Sequence, residues 1–127
     1  HHIDLYLDPF PYSGHTTSMD PLWMGVPLVT LAGRTDVNRS GVFLLSNLQM
    51  EELIAQSEAE YIDKTIELAS KLPRLAEYRG TLRERMRRSP LLDPQRFTRN
   101  VEAAYRGMWR KWCRSAHIAR GDGDPNS

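Results

Sequence analysis

Eight consecutive residues, Ser13-Gly14-His15-Thr16-Thr17-Ser18-Met19-Asp20, bring together the side chains and backbone that bind an anion. Gly14 lets the chain turn tightly and lets a ligand approach the backbone. Thr16 and Thr17 carry hydroxyl donors, and His15 donates from an imidazole nitrogen, more strongly when protonated. A helix opening at Thr16 or Thr17 leaves its first N–H groups without intrahelical partners and turns the positive end of its dipole the same way. Phosphate is the group that such an end receives. Asp20 does a different job, because a carboxylate does not belong on a diphosphate. It follows Thr17 by three residues and Thr16 by four, on about the same helical face. From there it can accept hydrogen bonds from two ribose hydroxyls, as an acid does in dinucleotide sites. The pattern therefore suits a nucleoside diphosphate. It also has a plain structural reading: Ser and Thr cap helices, an early Asp complements the dipole, and a lone His is as often a capping residue as a ligand. The stretch is neither a dinucleotide fingerprint nor a phosphate loop of the Walker kind.

The surrounding elements must hold this turn. Ile3-Asp4-Leu5-Tyr6-Leu7 reads as a short buried strand, ended by Asp8-Pro9-Phe10-Pro11. A helix is expected over residues 17–24, stopping at Gly25, and a second strand over Val26–Leu31 with Pro27 at its entry. Another helix is expected over 38–47, capped by Asn38 or Ser40. Leu53-Ile54-Ala55 fits either a brief strand or a helical end. A helix over 58–71 carries an apolar stripe of Ile62, Ile66 and Ala69. The next opens at Pro73 and turns Leu75, Tyr78, Leu82 and Met86 inward. Asp93 then caps a last long helix, with Pro94 at its first position and a stripe of Phe97, Val101, Tyr105, Met108 and Trp112 expected to be buried. Trp23 and Met24 are expected in the core. Strand–loop–helix–strand followed by helices is part of an α/β layered domain. Two clear strands make a poor sheet, which points to the closing part of something larger.

The chain has 127 residues, 40% of them hydrophobic and 26% charged, with a formal net charge of +1. The charge is unevenly spread: residues 1–73 hold four basic and ten acidic groups, residues 74–120 thirteen basic and four acidic. A basic half can face nucleic acid, anionic lipid or an acidic neighbouring domain. The dense run Arg79, Arg83, Arg85, Arg87 and Arg88 has no interleaved aromatic residue on which bases would stack, so nucleic acid is disfavoured. Cys113 is the single cysteine; it excludes an internal disulfide, lacks metal-ligand spacing and fits a reducing compartment. No apolar run approaches the ~18 residues of a membrane span, and no signal peptide is visible.

Two longer stretches carry a resemblance. Leu7 to Asp20, followed by Leu22-Trp23-Met24-Gly25-Val26-Pro27-Leu28-Val29-Thr30-Leu31-Ala32-Gly33, closely resembles the C-terminal catalytic lobe of the O-linked N-acetylglucosamine transferases, glycosyltransferase family 41, which includes SPINDLY-like proteins. Ser89-Pro90-Leu91-Leu92-Asp93, Arg96-Phe97-Thr98 and Ala104-Tyr105-Arg106-Gly107-Met108-Trp109 fit the end of the same lobe. The match runs in unbroken order over about residues 3–114.

The resemblance implies an α/β fold: the C-terminal part of a Rossmann-like lobe of a GT-B glycosyltransferase, ending in several helices. Residues 1–114 would be that partial nucleotide-sugar lobe and 115–127 a polar, disordered tail. The implied reaction transfers N-acetylglucosamine from UDP-N-acetylglucosamine to Ser or Thr hydroxyls of proteins, with inversion and without metal or other cofactor. His15, Thr16 and Thr17, with Gly14 in the turn, would contact the UDP diphosphate, and Asp20 the ribose. Related plant-type protein O-fucosyltransferases, which use GDP-fucose, tend to have threonine where His15 stands and glutamate where Asp20 stands. A noncatalytic nucleotide-binding or protein-interaction module is the rival of another class. The family's catalytic lysine, uracil-reading segment and acceptor-side histidines would lie upstream of His1, so no catalytic base is expected in this segment and the isolated piece should transfer nothing. The implied partners are protein acceptors, the other catalytic lobe and tetratricopeptide repeats, in the cytoplasm. The terminal helix of such enzymes often crosses back to the first lobe, which implies exposed apolar area on this piece alone.

Overall fold

The computed structural model describes residues 2–120 and divides into two compact units, with the boundary between Leu92 and Asp93. In the first unit the elements are β1 (Tyr6–Leu7), α1 (Thr16–Trp23), β2 (Leu28–Leu31), α2 (Ser40–Asn47), β3 (Ile54–Ala55), α3 (Glu58–Ser70) and α4 (Leu72–Arg88). Three parallel strands stand in the order β1-β2-β3, with Tyr6 opposite Leu28 and Thr30 opposite Ile54. Parallel neighbours need crossovers, and α1 and α2 supply them. The central strand is covered on both faces, so Leu28, Val29 and Thr30 are all fully buried and its sequence does not alternate. The expected first strand is shorter than Ile3–Leu7 and is not buried: Tyr6 is half-buried, and Ile3 and Leu7 are exposed. The ambiguous Leu53-Ile54-Ala55 resolves into the end of a 3-10 turn (Glu51–Leu53) and the third strand.

Backbone chemistry sets the boundaries. α1 stops because Gly25 takes φ +80°, a conformation that side chains disfavour. Ser57 caps α3, accepting from the Glu60 N–H at 3.2 Å, while the Glu60 carboxylate accepts from the Gln56 N–H at 2.7 Å. That backbone bond, helped by Lys64, holds Glu60 below the usual carboxylate range. α4 carries Pro73 in its first turn and buries Leu75, Tyr78, Leu82 and Met86, as its periodicity predicts. These join Leu22, Leu28, Val29, Leu45, Leu48 and Met50 in one core.

Two stripes depart from expectation. In α3, Ile62, Ile66 and Ala69 are exposed; the inner face is Tyr61, Lys64, Thr65 and Leu68. Its polar members are satisfied locally: Thr65 donates to the Tyr61 carbonyl at 2.7 Å and Lys64 to the Glu52 carbonyl at 2.7 Å. Met24 is also exposed rather than in the core, whereas Trp23 packs against the core. The Trp23 ring lies under two guanidinium groups, Arg83 at 5.2 Å and Arg87 at 5.4 Å from its centroid. Much of the basic run is thus engaged within the unit, since Arg79 pairs with Asp4 at 2.6 Å and Arg88 with Glu84 at 2.8 Å.

The second unit holds α5 (Pro94–Arg120). Asp93 opens it, accepting the Arg96 N–H at 2.8 Å. The stripe expected to be buried is not: Phe97, Tyr105, Met108 and Trp112 are exposed, as is Trp109, which stacks on Trp112 at 5.1 Å between centroids. Residues 115–120 continue the helix, and the remainder of the expected tail, from residue 121, lies outside the described residues.

Candidate nucleotide site

β1 delivers the chain to Asp8, whose N–H donates to the Val29 carbonyl at 3.0 Å. The Asp8 side chain is buried at 1% exposure, which is costly for a carboxylate without donors. It has three. Oδ1 accepts from the Gly14 N–H at 3.0 Å and from the Ser18 hydroxyl at 2.9 Å; Oδ2 accepts from the Thr30 hydroxyl at 2.7 Å. Gly41 borders this carboxylate, and a side chain there would collide with Asp8 and Thr30. The Tyr61 hydroxyl donates to the Asp8 carbonyl at 3.1 Å. Burial raises the Tyr61 phenol above its usual value, with the Asp8 charge adding to the effect.

The loop so held ends at His15, whose carbonyl accepts the N–H groups of Ser18 and Met19, both at 3.2 Å. The N–H groups of Thr16 and Thr17 have no partner among the described residues, as the first turn of a helix dictates. Ser40, at the start of α2, places its Oγ 2.8 Å from Nε2 of His15. Between these helices lies a cleft of about 710 Å³. His15, Thr16, Asp36, Arg39 and Ser40 form its polar wall, and Met19, Val42 and Phe43 belong to its apolar one. Arg39 is braced by donating to the Gly33 carbonyl at 3.0 Å.

The structure thus brings His15 and Thr16 together. Gly14 lies behind them over Asp8, while Thr17 and Asp20 are exposed on α1 and do not line the cleft. Asp8, Ser40 and Arg39 were not legible as site residues. Asp8 read only as a strand terminator, and its partners are six, ten and twenty-two positions away. No group of three or more His, Cys, Asp or Glu side chains suited to a metal ion occurs among the described residues.

The family model for glycosyl transferase family 41 matches residues 2–101. The chain belongs to this family. Among curated members, the protein of Solanum lycopersicum named "Probable UDP-N-acetylglucosamine--peptide N-acetylglucosaminyltransferase SPINDLY" is 47% identical over 111 residues, covering 87% of this chain and 12% of that protein. The Arabidopsis thaliana protein of the same class named SEC is 35% identical over 87% of this chain. Among solved structures, a mutant O-GlcNAc transferase from Thermobaculum terrenum superposes with a TM-score of 0.82 at 44% identity, over 90% of this chain and 22% of the other. The chain therefore spans about an eighth of the length of the curated family members it matches. Its α/β fold, a small parallel sheet followed by helices, is that of the family 41 transferase lobe.

Proposed function

We propose that this chain is the part of a family 41 protein glycosyltransferase that holds the nucleoside diphosphate of UDP-N-acetylglucosamine. The whole enzyme moves N-acetylglucosamine to Ser or Thr hydroxyls of proteins in the cytoplasm, with inversion and without a metal. One observation carries the reading: the amino end of α1 is unspent, with two N–H groups unpartnered among the described residues, and it stands beside the imidazole of His15 at the edge of a cleft. In a metal-free transfer the departing diphosphate must be stabilised by donors and positive charge. The N–H groups of Thr16 and Thr17, their hydroxyls and His15 supply both. Charge develops on UDP as the sugar leaves, so these bonds strengthen in the transition state, where they raise the rate. Asp20, one turn deeper in α1, accepts from the ribose hydroxyls. The acceptor base and the catalytic lysine come from upstream sequence, together with the other lobe and tetratricopeptide repeats. The segment alone binds UDP weakly and turns nothing over.

Calorimetric titration of the full-length protein tests this. UDP binds in preference to GDP, and UDP-N-acetylglucosamine in preference to GDP-fucose. Preference for the guanine pair would assign the protein to fucosyl transfer, and binding of neither would leave an interaction module. His15→Ala and Asp20→Ala each weaken UDP binding; titration curves identical to wild type for both would remove the site assignment.

A further inference from the structure

We propose that Asp8 is the positioning residue of the nucleotide loop, fixing from beneath where the opening of α1 meets a diphosphate. The inference rests on the function proposed above and deepens it. The backbone of Asp8 belongs to the sheet, for its N–H is bonded to Val29 and its carbonyl receives the Tyr61 hydroxyl. Its side chain belongs to the loop, for Oδ1 takes the Gly14 N–H and the Ser18 hydroxyl together. One buried carboxylate therefore ties the residue before His15 and the third residue of α1 to the end of β1. Thr30, fully buried on the central strand, fixes the other oxygen. Gly41 leaves the room for this arrangement.

The positions of the His15 backbone and of the Thr16 and Thr17 N–H groups are thereby set by the sheet and not by the loop's own flexibility. Phosphate stabilisation by donors depends on their being held in place before the charge develops. Asp8 itself is buried and does not line the cleft. Asp8→Leu keeps the approximate shape but removes both acceptors, so the Gly14 N–H and the Ser18 and Thr30 hydroxyls lose their shared partner. Asp8→Asn is the milder change: its amide oxygen still accepts from Gly14 while its NH2 meets the Thr30 hydroxyl, which can rotate to accept.

The test uses full-length protein and compares two probes, UDP and uridine, with thermal melting measured on each variant. Asp8→Leu is expected to weaken UDP about tenfold while uridine, which lacks the diphosphate, binds as it does to wild type, and Asp8→Asn to restore much of the loss. Ser18→Ala and Thr30→Val, each removing one donor, should shift UDP two- to threefold in the same direction. UDP affinity unchanged in Asp8→Leu would overturn the proposal. So would equal losses for UDP and uridine accompanied by a lowered melting temperature, since the residue would then merely support the fold. If Asp8→Leu does not fold, the two donor variants decide: an unchanged ratio of UDP to uridine affinity in both refutes the role. A wild-type protein that gains nothing from the diphosphate would instead sink the underlying nucleotide reading, and this proposal with it.

Discussion

The hydroxyl of Ser40 reaches the His15 imidazole across twenty-five residues, 2.8 Å from Nε2 and 3.1 Å from Nδ1. Ser40 is nearly buried, whereas His15 is exposed, so the fixed partner orients the free one. A hydroxyl both donates and accepts, so it pairs with either tautomer of the ring. Ser40→Ala in the full-length enzyme should lower kcat/KM for the sugar donor about fivefold, the equivalent of about 1 kcal/mol for one neutral hydrogen bond. His15→Ala should lower it further, and Ser40→Ala should add little in the His15→Ala background. Steady-state kinetics on the four proteins checks the cycle.

Asp20 is expected to read the ribose. Wild-type protein should then prefer UDP to 2′,3′-dideoxy-UDP by about tenfold, and Asp20→Ala should bind the two nucleotides alike. Competition against a fluorescent UDP analogue measures both ratios. A preference that survives the substitution places ribose recognition elsewhere.

Gly25 answers a backbone demand. Its φ is +80°, and an added Cβ would meet the Arg79 carbonyl at 2.7 Å. Gly25→Ala should cost at least about 1–2 kcal/mol from the left-handed conformation alone. Urea titration should show a lower midpoint with an unchanged slope.

Alkaline pH should loosen the first unit. Burial raises the phenols of Tyr61 and Tyr78 above 10.0, with Asp8 adding to the first and Arg74 opposing the second. Unfolded tyrosines give up their protons near the ordinary value, folded ones only later. In that window the unfolded chain binds fewer protons, and stability falls as pH rises. The contribution is complete below about pH 10 and is lost as pH climbs through the raised folded values. Tyr61→Phe should flatten the decline while losing the bond to the Asp8 carbonyl. Urea midpoints from about pH 8 to about pH 11 give the slope.

What could be read from the chain was its punctuation. Gly25, Pro73, Asp93 and Pro94 act through local backbone geometry, so their positions predict the end of α1 and the starts of α4 and α5 to within a residue or two. The stripe of α4 was equally legible, because two leucines, a tyrosine and a methionine at helical spacing have one apolar face to bury. The inner face of α3 was hidden: Tyr61, Lys64 and Thr65 turn inward because hydroxyls and an ammonium find carbonyls there, and hydropathy ranks Ile62 and Ile66 above them. The α5 stripe was read correctly as amphipathic; its periodicity alone suggested burial, whereas the family resemblance implied the exposed apolar area that is found. Of the candidate site, the turn at residues 14–17 was visible as a motif, whereas its support by Asp8 and Ser40 depends on long-range contacts that no local spacing encodes.

Trp23 gives the helix an optical gauge. The indole closes the same eight-residue helix that opens at Thr16, and two cations sit over its ring. Indole emission shifts in colour when nearby charge moves. With Trp109 and Trp112 changed to phenylalanine, no other tryptophan in this segment emits. A small tilt of the helix at one end then becomes a wavelength change at the other, recorded without any added dye.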